Sequence, residues 1–159
     1  METVEKNIAH VQALIDEAKA AGLDGAGWVA SLGAVRCCEG YNGIGPEFLP
    51  DKIRAKVTAY LSTFEAAALI HDMRNDVADG TRASFLAAND EFRINCILLA
   101  DHRYAKPRQG LRRYRARAVA QILYDFVSAD GFGWKAWREA HERYLSRQGL
   151  SPSTPSERC

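Results

Sequence analysis

The chain has 159 residues, 47% of them hydrophobic, enough for one domain with a real core and too few for two independent domains. Its 21 Lys and Arg against 20 Asp and Glu leave a formal charge of +1, which excludes a global drive toward nucleic acid or an acidic partner. No apolar run approaches the roughly 20 residues that cross a bilayer, so the expectation is a protein with no transmembrane segment, at most peripheral to a membrane.

In chain order, Val4, Ile8, Val11, Leu14, Ile15 and Ala18 recur at helical spacing up to Gly22 and predict one amphipathic helix. Acidic residues interrupt this stretch, so it lacks the apolar centre of a secretory signal. Synthesis in the cytoplasm and reduced Cys37, Cys38, Cys96 and Cys159 follow as expectations. The cysteine spacing does not suit structural zinc. From Gly22 to Pro50 glycines dominate and a loop is expected, with a short helix near Val29 to Arg36. Asp51 opens another short helix through Ala59.

Ser62, with Glu65 three residues later, has the pattern of a capping box and predicts a helix through Asp76. Asp79-Gly80 is a turn signal, and Thr81 an N-cap for a helix reaching about Tyr104. Pro107 to Gly110 breaks the chain before a helix bearing Leu111, Ala118, Ile122, Leu123, Phe126 and Val127. Gly131 to Gly133 stops that helix, and a last one carries Trp134, Trp137, Tyr144 and Leu145. Strand patterns are scarce. The expected fold is mainly α, one domain over residues 1–150 with its core about 37–104, and a disordered tail over 151–159.

The two helices around Asp79-Gly80 should pack antiparallel, which sets residues equidistant from the turn side by side. His71 and Asp90 have their midpoint between Gly80 and Thr81. Both interrupt apolar stripes, so an imidazole oriented by a carboxylate is expected there, a base and its orienter. A satisfied core histidine without chemistry is the bland alternative. Asp72 adds a second carboxylate about 100° round the helix. In Tyr41-Asn42-Gly43-Ile44-Gly45-Pro46 the glycines allow the backbone to turn carbonyl oxygens onto one point, as calcium prefers.

These residues resemble the phospholipase A2 superfamily, above all the compact phospholipase domain of parvoviral capsid proteins. The resemblance covers about Tyr41 to Cys96. Tyr41-x-Gly43-x-Gly45 is similar to the family's calcium loop, Ser62 to Asp72 to its alanine-rich helix ending in His-Asp, and Ala87 to Phe92 to its later helix. The resemblance implies a core of two antiparallel helices with a glycine-rich calcium loop, flanked here by extra N- and C-terminal helices. It also implies Ca2+ held by the carbonyls of Tyr41, Gly43 and Gly45 and the carboxylate of Asp72. His71 would activate water, and Asp90 would orient His71. The implied reaction is hydrolysis of the sn-2 ester of a glycerophospholipid at a membrane surface. The family's tyrosine four residues after the histidine is Asn75 here, and Ala67 stands where a partner cysteine for Cys96 would fall. The chain also has the look of bacteriophage proteins.

Two other functions compete with this reading. The stronger is a non-enzymatic virion or host-interaction protein on a phospholipase-like scaffold, which Asn75 favours. The other is a metal phosphohydrolase of the HD type, for which His10 is the one upstream histidine. A basic run from Arg103 to Arg117 reads first as a solvated face, then as an attraction to anionic lipid, and last as a nucleic-acid contact, since no nucleic-acid motif accompanies it.

Overall fold

The computed structural model describes residues 2–42 and 60–150. Among them are seven α-helices and no strand: α1 Glu2–Ala20, α2 Ala26–Leu32, α3 Ala34–Gly40, α4 Glu65–Asp76, α5 Arg82–Arg103, α6 Gly110–Val127 and α7 Lys135–Arg147. The mainly α expectation holds. No helix among the described residues is long and apolar enough to cross a membrane. The helix expected over Asp51 to Ala59, Gly43 and Gly45 of the glycine loop, and the 151–159 tail lie outside the described residues.

Sequence periodicity explains α1 directly. Val11, Leu14, Ile15 and Ala18 fall on one stripe and are all at most 5% exposed, each large side chain contributing about 1.5–3 kcal/mol by leaving water. The helix expected near Val29 to Arg36 is instead two, because Gly33 adopts φ +81 and breaks the run between α2 and α3. That conformation suits a residue without a Cβ.

Helix α4 lies at the centre, in contact with α1, α2, α3, α5 and α7. Ala66, Ala67, Ala68, Leu69, Ile70 and Met73 are all buried, and the run of alanines lets neighbours approach closely. One close approach is at the end of α3, where a Cβ on Gly40 would come within 2.9 Å of Met73 Sδ. The Ser62 cap does not form. Phe64 occupies the N-cap, after a turn in which Thr63 and Phe64 donate to the carbonyls of Tyr60 and Leu61. The Ser62 carbonyl instead accepts from Arg103 Nη1 at 2.9 Å.

The turn between α4 and α5 forms where expected, and Thr81 caps α5 by accepting from the Ser84 amide at 3.2 Å. Asn95 is fully buried and pairs both amide atoms with the Asp24 backbone at 2.9 Å, fastening the α1 to α2 connection to α5. The glycines at 131 and 133 form a π turn over Asp130–Trp134 that leads directly into α7. Trp137 then packs with Phe85, Ala78, Ala88 and Ala140 in a small second core.

Asp76, at the end of α4, ties α3 and α7 to it through Arg36 and through Arg147 Nη1 at 2.7 Å. Burial acts to raise its pKa, but the hydrogen bonds from the two guanidinium groups outweigh that and hold it below 3.8. Asp76→Ala should cost about 2 kcal/mol, the range for hydrogen bonds to charged groups, measured by urea denaturation at pH 7. Since the folded pKa is depressed, this contribution is full above pH 3.8 and is lost as the pH falls through the folded value. Wild type and variant should therefore converge in acid.

Candidate functional site

The α4 to α5 seam presents His71 to Asn89. His71 Nε2 and Asn89 Oδ1 are 2.9 Å apart. Asn89 is 1% exposed and lies on the buried stripe of α5 with Phe85, Ala88, Phe92 and Cys96. Its Nδ2 reaches toward the Val127 carbonyl of α6 at 3.5 Å, which orients the amide with its oxygen facing the imidazole. Nε2 therefore carries the hydrogen, and Nδ1 carries the lone pair. Asn75, one turn further along α4, directs its Nδ2 at Nδ1 from 3.4 Å, a long contact that a water could replace. Phe92 packs against the ring at 4.9 Å between centroids.

Burial lowers the His71 pKa below 6.5, against smaller raising effects from the Asn89 hydrogen bond and the charge of Glu91. The imidazole is thus neutral at pH 7 with an oriented lone pair, the state a general base requires. Below pH 6.5 the unfolded chain takes up a proton that the native histidine declines, so His71 withdraws stability as the pH falls through that region.

Asp72 follows on α4, about 100° round the helix from His71. Its Oδ2 accepts from the Asn42 backbone amide at 2.9 Å, so the segment leaving α3 does meet this carboxylate. The close packing of Gly40 on Met73 puts Asn42 within reach. A cavity of about 290 Å³ joins these groups. Asn42, His71, Asp72 and Asn75 line one part of it, and Phe85, Phe92, Leu123, Val127 and Phe132 make its apolar wall. Arg143 of α7 borders this cavity and also a more polar one of about 210 Å³ containing Glu39, Asp76 and Arg147.

Tyr41 follows α3 and lines a different cavity, with His10 and Cys38. Burial, with the charges of Glu65 and Asp72, pushes its phenol pKa up, so it stays protonated. Among the described residues no three His, Cys, Asp or Glu side chains are grouped to hold a metal ion. Of the calcium ligands expected from the sequence, Asp72 accepts from the Asn42 amide, Tyr41 directly precedes Asn42, and Gly43 and Gly45 lie outside the described residues.

Asp90 is not part of this arrangement. Its side chain is 53% exposed and stands 4.0 Å from Arg93 on its own helix. His71 meets Asn89, one residue before Asp90, and one residue on a helix turns a side chain through about 100°. The stripe of Phe85, Asn89, Phe92 and Cys96 was the signal for Asn89, whereas Leu86 on the Asp90 side is 42% exposed. Asn75 contacts His71 itself. His10 pairs with Glu65 at 3.1 Å, separate from the His71 pair. The thiols of Cys37, Cys38 and Cys96 are free, and burial raises the pKa of each. Arg143 lies beyond any motif in the sequence.

No family model, curated protein or solved structure matches the chain.

His71 should titrate below pH 6.5 by NMR, and Asn89→Asp should move the midpoint above it, because a carboxylate stabilises imidazolium where an amide does not. An unchanged midpoint would contradict the His71 to Asn89 contact.

Proposed function

We propose that the chain is a calcium-dependent hydrolase of glycerophospholipid esters, of the phospholipase A2 type, in which Asn89 takes the orienting part expected of Asp90. The observation that carries this reading is the hydrogen bond that fixes a neutral His71 at the edge of an apolar cavity, with its Nδ1 lone pair met by a long 3.4 Å contact from Asn75 that a water can take over. The cavity wall of Phe85, Phe92, Leu123 and Phe132 suits an acyl chain.

In this mechanism His71 Nδ1 takes a proton from water as the water oxygen bonds to the ester carbonyl carbon. Collapse of the tetrahedral species breaks the acyl carbon to oxygen bond. The Nδ1 proton passes to the departing alkoxide, giving a lysophospholipid and a fatty acid. Asp72, with the carbonyls of Tyr41, Gly43 and Gly45, would hold the calcium ion, whose chemistry there would be positive charge for the developing oxyanion. Asn89 holds the imidazole in the required tautomer but lends no charge to the imidazolium, so turnover is slower than a carboxylate would allow.

That same neutral amide favours a second reading, a binding protein of virion or host-interaction type that keeps the scaffold with little turnover. One assay separates the two. Mixed phospholipid vesicles with calcium should yield free fatty acid, and chelator or His71→Ala should reduce the rate about 100-fold or more. Asn89→Asp should raise it, Asp72→Asn should weaken calcium binding, and Asp90→Asn should leave it within about twofold, as for a surface group. Release that persists in chelator or in His71→Ala contradicts the hydrolase. Absence of release from wild type and Asn89→Asp alike supports the binding protein.

A further inference from the structure

From Asp101 to Asp125 the chain carries seven Lys or Arg and no Asp or Glu between those two ends, in a molecule of net charge +1. Two of the seven have internal partners: Arg117 forks onto Asp101 at 2.8 and 2.5 Å, and Arg103 reaches the Ser62 carbonyl. Lys106, Arg108, Arg112, Arg113 and Arg115 are exposed and make no ion pair among the described residues. Three of them stand in the first two turns of α6, whose first turn has no acidic residue. Cations at a helix N-terminus oppose the helix dipole, so this placement weakens α6 in isolation and gains when a negative surface lies against it.

Helix α6 also has two apolar stripes. Ala116, Val119, Ala120 and Leu123 face the core. On the opposite side Leu111, Tyr114 and Ala118 follow at intervals of three and four residues, with Leu111 62% and Tyr114 72% exposed. A leucine and a tyrosine one turn apart, with Arg115 beside them and Arg112 and Arg113 exposed in the same two turns, match an anionic bilayer surface: the apolar pair enters the headgroup layer while the guanidinium groups reach its phosphates. Duplex nucleic acid would meet the charge but would leave Leu111 in water. We infer that the start of α6, with Leu111 and Tyr114 at its centre, is a docking surface for anionic lipid membranes. It lies on the opposite face of α6 from the residues that line the His71 cavity, and needs no catalysis.

Co-sedimentation of the full chain with vesicles of ether-linked phospholipids, which no esterase cleaves, tests this independently of hydrolysis. Binding should be strong on phosphatidylglycerol mixtures at low salt, weak on phosphatidylcholine alone, and reduced by salt. Arg115→Gln should weaken partition about fivefold, the factor for one cation near the surface. Leu111→Ser with Tyr114→Ser should weaken it about tenfold or more. As a check that does not depend on loss of binding, Tyr114→Trp should shift its emission to the blue on the anionic vesicles. No retention of wild type on anionic vesicles, an unshifted Tyr114→Trp, or tighter binding to duplex DNA than to the vesicles would overturn the assignment.

Discussion

A helix packed against five others leaves little solvent face for polar groups, and α4 is such a helix, buried through its first half and half-buried in its second. Ala66 to Ile70 are buried without interruption, so every polar residue that follows must meet a partner on a neighbouring element. His71 meets Asn89 on α5, Asp72 meets the Asn42 amide, Arg74 forks onto Glu91 at 2.9 and 3.1 Å, and Asp76 holds arginines of α3 and α7. The polar second half of α4 thereby fixes where three other helices sit. The site and the tertiary fold are consequences of one constraint.

The choice of Asn89 follows the same logic. A carboxylate at that position would be desolvated, with an imidazole whose pKa it raises as its nearest partner. An amide satisfies the neutral ring at lower cost. It also divides its two ends between His71 and the Val127 carbonyl, which couples α6 to the seam. Under the proposed function, this arrangement favours a rigid neutral base over rapid turnover.

Much of the architecture was legible because it rests on period and punctuation. The stripe of α1, the Thr81 cap and the turn at Gly80 all use local rules that the sequence displays. Asp90 misses His71 because counting residues from the turn does not fix which one faces the seam, while the burial pattern of α5 does, in Phe85, Asn89 and Phe92. Ser62 failed for another reason: tertiary contacts from Arg103 and the buried Phe64 settled the start of α4 over a sound local signal. Arg143 and the docking of α7 were not legible, since packing between segments distant in sequence leaves no periodic trace.

The claim that His71 directs water onto an acyl carbon is tested most directly by isotope placement. Diacyl phospholipid turned over in water enriched in oxygen-18 should give fatty acid carrying one labelled oxygen in its carboxylate and unlabelled lysophospholipid, both read by mass spectrometry. Label in the lysophospholipid, or the same fatty-acid labelling at an undiminished rate with His71→Ala, would contradict it.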